Sequence, residues 1–337
     1  MAAAHDAKNP RRRIDARQKC ATTHTFAPLT EWTDHHLSFR SASYRARVPA
    51  ELRRALKAWR TAPADSFRCT DAVHVLDAVK NKRGPIAANR LRAEARACWG
   101  WGLKRGSLPG NPWEATPRPL ARETPRERVL SDFELGVLYS AAGALAEPWG
   151  VLVRLMTLTG QRRGEVAGAR WDELNPDSRE WSLPGTRTKN GQPHRVPLSN
   201  ESVALLMTVT RRKGAELIFE GPRKTAVSGL GKVKARLDAA LDGAAPDKDR
   251  KPAPWVLHDL RWTVATGLQR LGVRLEVTEA VLNHVGGTRS GIVGMYQRHG
   301  WEVEKAAALQ AWAAHVVRYA DGETRVQKNV MQLRTTI

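Results

Sequence analysis

The sequence predicts a mainly α-helical protein with one small antiparallel β-sheet, organised as two domains. Three observations carry this reading. Apolar residues recur at three- and four-residue steps along most of the chain, strict alternation is confined to residues 180–199, and a run of prolines among arginines at 112–125 separates two sets of helical patterns.

Taken in order, residues 1–25 carry Lys8, Arg11, Arg12, Arg13, Arg17 and Lys19 against Asp6 and Asp15 with no apolar period, and are expected to be a flexible basic arm. Helical spacing begins at Phe26. Leu29, Trp32 and Leu37 mark a first run, Leu52, Ala55, Leu56 and Trp59 a second, and Val75, Leu76 and Val79 a third. The fourth and longest run starts near Pro85, whose missing N–H is not needed in a first helical turn. It sets Ala88, Leu91, Ala95, Cys98, Trp99 and Gly102 on one stripe and Arg90, Arg92, Arg96, Lys104 and Arg105 on the other faces, against Glu94. Residues 26–115 are therefore expected to form a four-helix domain. Residues 116–128 are expected to be a linker, because Pro117, Pro119 and Pro125 remove donors and restrict their predecessors. A second domain at 129–320 and a tail at 321–337 complete the chain.

In the second domain, Ser131-Asp132-Phe133-Glu134 offers a cap and early acids for a helix towards Ala142. After Pro148, Val151, Leu152, Leu155 and Met156 predict a buried helix that stops at Thr159-Gly160, with a helical restart at Gln161-Arg162. Trp181 and Leu183 alternate, then His194, Val196 and Leu198, on either side of a turn holding Asn190-Gly191. Further helices are expected at 202–211, 227–241, 257–271, 275–283 and 301–316, with 242–254 a charged surface loop and no repeat of fixed period.

Hydrophobic residues make up 42% of the 337 and charged residues 26%, enough for one large or two modest cores, which excludes wholesale disorder. Lys and Arg number 55 and Asp and Glu 34, a formal balance of +21. Such an excess is relieved by a polyanion, either a phosphate backbone or an anionic membrane surface. Membrane-surface binding calls for a basic amphipathic helix at an end, whereas Arg11-Arg12-Arg13 sits between Pro10 and Asp15, so nucleic acid fits better. No stretch approaches the roughly 20 apolar residues of a membrane span. Cys20, Cys69 and Cys98 lie far apart without metal-ligand spacing, which reads as a reducing compartment. The expectation is a soluble cytoplasmic protein without metal or other cofactor.

Four motifs could carry chemistry, and each alone admits an ordinary reading. Thr159-Gly160-Gln161-Arg162-Arg163-Gly164-Glu165 places arginines at a helix start, where a guanidinium fork and free amides can hold a phosphate; the alternative is a solvated turn. Lys189, at the tip of the hairpin, could reach a groove or a leaving-group oxygen, or simply be solvated. His258 and Arg261 share a helical face ahead of the apolar series Leu260, Val264, Leu268 and Leu271, although His315 to Arg318 repeats the same cheap spacing. Leu282-Asn283-His284 is followed twelve residues after the histidine by Tyr296; a helix-end histidine and a core aromatic are the plain readings.

In this order, on this framework, the set resembles the tyrosine recombinase family, the phage-type integrases, from about residue 26 to residue 316. The stretches 159–165 and 258–266 look like that family's two arginine boxes. The helix through Ala87-Ala88-Asn89-Arg90 to Trp99, with Gly106 and Asn111-Pro112, looks like its core-site DNA-binding domain, the remainder being the catalytic domain. The resemblance implies that Arg162 and Arg261 clamp the scissile phosphate, and that Tyr296 attacks phosphorus to give a 3′-phosphotyrosyl link while Lys189 protonates the leaving 5′-oxygen. It further implies that His258 assists proton transfer, His284 bonds a non-bridging oxygen and Glu165 braces its neighbours. Fixed cations can stabilise such a transition state without metal, and neither ATP nor a Walker-type loop is called for.

The implied protein is a site-specific recombinase of a phage or mobile element, closing as a clamp on double-stranded attachment-site DNA, in four copies, with accessory DNA-bending proteins as possible partners. The helix bearing Trp301, Ala308, Leu309, Trp312 and Val316 would dock on a neighbouring copy or, alternatively, pack within its own chain. Two departures stand out: a basic stretch of about 25 residues precedes the helical unit where arm-binding integrases carry an additional folded domain, so binding to arm-type sites is not expected from this stretch, and Trp262 stands where many relatives have a second arginine, read here as a packing change. The Arg-x-x-Glu step to Glu165 favours Arg162 over Arg163. A catalytically decayed DNA-binding regulator and a topoisomerase-like relaxing enzyme are the alternatives.

Overall fold

The computed structural model describes residues 26–64, 66–124, 127–245, 252–284 and 300–322. The basic arm, Tyr296, most of the charged loop at 242–254 and most of the tail lie outside the described residues. The chain divides into two units at Pro125/Arg126.

In the first unit, α1 (Phe26–Glu31) runs through a π-helical turn (Trp32–His36) and a 3₁₀ turn (Leu37–Phe39) into α2 (Ala42–Ala55). The Ser41 hydroxyl accepts from the Tyr44 amide and so caps α2. The expected second run breaks after Ala55 into a 3₁₀ turn at Lys57–Trp59. Helices α3 (Cys69–Arg83) and α4 (Pro85–Lys104) meet at Gly84, whose φ of +88° a side chain would resist, and Pro85 opens α4 as its position suggests. All six stripe residues of α4 are buried, and Phe67 packs among Trp59, Trp99 and Trp113 at centroid distances of 5.1, 5.9 and 5.4 Å.

Among the described residues, the proline-bearing segment after α4 forms no helix or strand, yet its first part is tied to that helix. Asn89 Nδ2 donates to the Leu120 carbonyl at 3.0 Å, the Leu120 amide donates to Asn89 Oδ1 at 3.2 Å, and Arg92 donates to the Thr116 carbonyl at 2.6 Å.

In the second unit, α5 (Asp132–Gly143) starts in a capping box: Ser131 Oγ accepts from the Glu134 amide and Glu134 Oε2 from the Ser131 amide. The buried α6 (Trp149–Thr159) ends at Gly160 in the left-handed conformation, and the short α7 (Arg163–Ala167) follows. The sheet has three antiparallel strands in sequential order, β1 (Leu174–Asn175), β2 (Glu180–Leu183) and β3 (His194–Pro197). Trp181 pairs with Val196 and Leu183 with His194, so the alternating residues read from the sequence face the core together. Strand β1 was not expected. Asn190-Gly191 lies within a longer connection, residues 184–193, that also holds a 3₁₀ turn at Gly185–Arg187.

Helices α8 (Asn200–Met207), α9 (Leu230–Ala244), α10 (Asp259–Arg270), α11 (Leu275–Val281) and α12 (Glu302–Ala320) complete the unit among the described residues. The expectation that α12 docks on a neighbouring copy is corrected by its packing: Ala308, Leu309, Trp312 and Val316 are buried in the core of their own unit. Trp312 Nε1 donates to the Thr157 carbonyl at 2.8 Å, and a Cβ on Gly267 would lie 2.1 Å from the Trp312 ring, so α10 and α12 cross at a distance only glycine allows. Among the described residues, no helix is long and apolar enough to cross a membrane.

Candidate active site

The last carbonyls of a helix have no partner within it. At the end of α11 they collect donors from every distant motif. The Val281 carbonyl accepts from Gln161 Nε2 at 2.9 Å and from His194 Nε2 at 3.1 Å. The Leu282 carbonyl accepts from Arg261 Nη2, and the Asn283 carbonyl from Asn190 Nδ2 at 3.1 Å and Arg162 Nη2 at 3.5 Å. Three consecutive backbone oxygens thus join α7, the β2–β3 connection, β3 and α10, and the negative end of the α11 dipole favours the cations among them.

The helix stops there for a local reason. Asn283 takes φ +48°, its amide donates to the Ala280 carbonyl at 3.3 Å, and the His284 amide donates to the Glu279 carbonyl at 3.0 Å. This is a Schellman stop, with asparagine in the left-handed place that glycine most often fills. It sets His284, half-buried, just beyond the helix end.

Arg261 is 5% exposed, and besides Leu282 it reaches the Gly160 carbonyl through Nη1 at 2.9 Å. Its hydrogen bonds go to neutral carbonyls, and burial and then Arg162 push its pKa down to about 10, with Glu165 opposing through space. The guanidinium stays charged at neutral pH, and three of its five N–H groups lie beyond these two bonds. An anion at this place relieves a buried cation.

Arg162 is the residue before α7. Its amide donates to Glu165 Oε2 at 3.1 Å and its Nη1 to Glu165 Oε1 at 2.9 Å, as the Arg-x-x-Glu step suggests, while Arg163 is exposed. The buried Glu165 is tied in turn: its carbonyl accepts from Arg187 Nη2 at 2.7 Å, and Arg187 pairs with Glu173, which also accepts from Trp181 Nε1 at 3.1 Å.

Lys189 is exposed in the 184–193 connection. His258, at the start of α10, is held below its ordinary pKa by burial and by Arg261, with Arg162 and Lys189 adding to the effect against Asp259. Burial, Arg261 and Arg162 likewise lower His284, with His258 adding a little and Glu279 opposing. Both imidazoles are therefore neutral at pH 7. His258 and His284 thus both lie in the field of Arg261 and Arg162, to which Lys189 adds at His258. A cleft of about 580 Å³ is lined by Arg162, Arg163, Lys234, Trp255 and His258. Tyr296 lies outside the described residues. Among the described residues no group of three His, Cys, Asp or Glu could hold a metal.

Arg90 and Lys104 on α4 and Arg105 just after it are exposed, with Arg105 lying over the Trp101 ring at 4.8 Å. Arg92 and Arg96 were expected to point outwards, yet both also brace the segment after the helix: Arg92 bonds Thr116, and Arg96 pairs with Glu114. Trp262 is 46% exposed, so its presence is not explained as core packing.

Four supporting residues carry no role on sequence alone. Gln161 lies inside the first arginine motif, and Asn190 and Asn283 have the pattern of turn and helix-end residues. His194 was noted only for its place in the alternation; a polar residue at an inward strand position was the available signal.

The arrangement of helices around a small antiparallel sheet is shared with integrases of known structure. The model of the phage integrase family matches residues 129–300, and the chain belongs to that family. Prophage integrase IntA of Escherichia coli (strain K12) is 30% identical over 182 residues, 54% of this chain and 41% of that protein. The chain spans about two-fifths of the length of the curated relatives it matches. Among solved structures, a lambda integrase dimer bound to a COC′ core site superposes with a TM-score of 0.61 at 16% identity, covering 95% of this chain and 84% of that one. A lambda integrase tetramer bound to a Holliday junction gives 0.59 at 18% identity, covering 87% and 82%. At these identities the likeness is one of fold.

Proposed function

We propose that the chain is a site-specific DNA recombinase that cuts and rejoins strands through a 3′-phosphotyrosyl intermediate. The observation that carries this is the buried Arg261, held by backbone carbonyls beside Arg162 with donors still open to an anion. Family membership and the DNA-bound integrases of the same fold support it.

In the proposed step the two guanidiniums hold the non-bridging oxygens of a backbone phosphate, with His284 as a further donor. The Tyr296 oxygen forms a bond to phosphorus as the bond to the 5′-oxygen breaks. The phenolic proton passes to the neutral His258, and the Lys189 ammonium gives a proton to the departing 5′-oxygen, leaving a neutral amine. Rejoining is the reverse with a different 5′-hydroxyl, so the phosphodiester energy is conserved. Glu165 acts by fixing Arg162. Arg90, Lys104 and Arg105, with the remaining donors of Arg92 and Arg96, are proposed as contacts to the duplex. Four copies on two DNA sites are proposed as the working assembly, since the lambda integrase of the same fold is seen as a tetramer on a Holliday junction.

The test is incubation with DNA that flanks the gene, followed by denaturing electrophoresis. A covalent protein–DNA band is expected, absent in Tyr296→Phe while that variant still shifts the DNA. A band that persists in Tyr296→Phe refutes the nucleophile assignment.

A further inference from the structure

We propose that Asn190 and Asn283 form a side-chain latch that positions Lys189 for proton delivery, by holding the β2–β3 connection against the end of α11. The proposal rests on the reading of Lys189 as the leaving-group acid.

The two amides interlock. Asn190 Nδ2 donates to Asn283 Oδ1 at 3.0 Å and to the Asn283 carbonyl at 3.1 Å, and Asn283 Nδ2 returns a weaker bond to Asn190 Oδ1 at 3.4 Å. Asn190 Oδ1 also accepts from the Gln192 amide at 3.1 Å, which sets the local turn. On the other side of the lysine, Thr188 Oγ1 donates to the Gln192 carbonyl at 2.7 Å, and Arg187 ties the chain to Glu173 and to the Glu165 carbonyl. Lys189 therefore stands between two tethers: the one before it reaches α7, and the one after it reaches α11. Without the second, the tip of a connection spanning residues 184–193 would carry the lysine on a freely moving backbone, and a four-carbon side chain has ample rotamer freedom of its own to lose.

The residue chosen at 283 points the same way. Glycine fits φ +48° with less strain, so a helix stop alone does not call for asparagine here. Asn283 is 8% exposed, and its amide finds its partner in Asn190. The Asn283 carbonyl also accepts from Arg162, so one residue joins an arginine of the proposed phosphate clamp to the loop that carries the proton donor.

In the assisted step a Lys189 N–H bond breaks, its proton bonds to the 5′-oxygen as the P–O bond opens, and the electron pair stays on the amine. A sulfur atom in place of that oxygen leaves as a thiolate without a proton, because thiols are far more acidic than alcohols, with a cysteine thiol near 8.5. The experiment therefore measures single-turnover adduct formation on two duplexes built on the cleavage site mapped from the covalent band, one with oxygen and one with sulfur at the 5′-bridging position. Asn190→Ala and Asn283→Gly, the second keeping a residue that accepts the left-handed backbone, are expected to react about tenfold more slowly than the parent on oxygen and within about twofold of it on sulfur. Lys189→Ala is expected to lose roughly a hundredfold on oxygen and to recover on sulfur. Equal losses on both duplexes, the mark of a merely structural role, would overturn the latch, as would parental rates on oxygen. A Lys189→Ala protein that stays slow on sulfur would overturn the acid assignment itself and the latch with it.

Discussion

His194 shows how much a single buried group can contribute at one residue. Burial pushes its pKa down to about 3, with Lys305, Arg261 and Arg162 adding to the effect and the bond to Val281 opposing it. The neutral ring donates to the Val281 carbonyl, beside the carbonyls that hold the arginines. The unfolded chain takes up a proton near pH 6.5 that the folded ring refuses, so this contribution to stability is complete above pH 6.5 and is lost as pH falls from there towards 3. A melting temperature that declines below pH 6.5 is expected, and in His194→Gln the decline should be shallower; parallel profiles for the two proteins would contradict it. At this scale the charges were legible and their acceptors were not. Arg162, Arg261, His258, Lys189 and His284 could be read because each is a distinctive letter at an ordered spacing. The oxygens of Gly160, Leu282 and Asn283 that hold the two arginines belong to the backbone, which every residue shares.

At the scale of elements, the turn between α6 and α7 sets where the first arginine box meets the second. Gly160 takes φ +66°, and a Cβ there would lie 2.9 Å from Val264 Cγ1 on α10 and 3.0 Å from Leu282 Cδ2 after α11. Its carbonyl is an acceptor for Arg261, so any shift of the turn moves the guanidinium. Gly160→Ala is expected to cost about 2–4 kcal/mol, from left-handed strain and overpacking together. Adduct formation should fall in parallel; denaturant melts and single-turnover rates check both, and parental stability would contradict the account. Long helices were legible because their apolar stripes are long: all of the α4 stripe is buried where the spacing put it. Strand β1 has two residues, too few for alternation to register. The start of α9 at Leu230 rather than near residue 227 follows from Gly229 at φ +88°, a conformation that the apolar pattern does not encode.

At the scale of the whole molecule, the net charge of +21 favours a polyanion, and the number of phosphates the protein contacts sets how binding responds to salt. Each neutralised phosphate releases counterions, so a protein that contacts six to ten phosphates should lose roughly 10³–10⁵ in affinity between 50 and 200 mM salt. Titrations at several salt concentrations check this, and an affinity indifferent to salt would contradict it. The chain divides at Pro125/Arg126; among the described residues Pro112, Pro117 and Pro119 lie outside helix and strand, and the attachment of their segment to α4 rests on Asn89 and Arg92 bonding the Leu120 and Thr116 carbonyls, which has no sequence signature. In the proposed chemistry the arginines held at the end of α11 grip a backbone phosphate for attack by Tyr296. Its most direct test is to trap the covalent complex, digest it with nuclease and protease, and sequence the peptide that carries the nucleotide by mass spectrometry. A 3′-nucleotide on the Tyr296 phenolic oxygen is the expected result; a nucleotide on Tyr139, Tyr319 or any other side chain would contradict it.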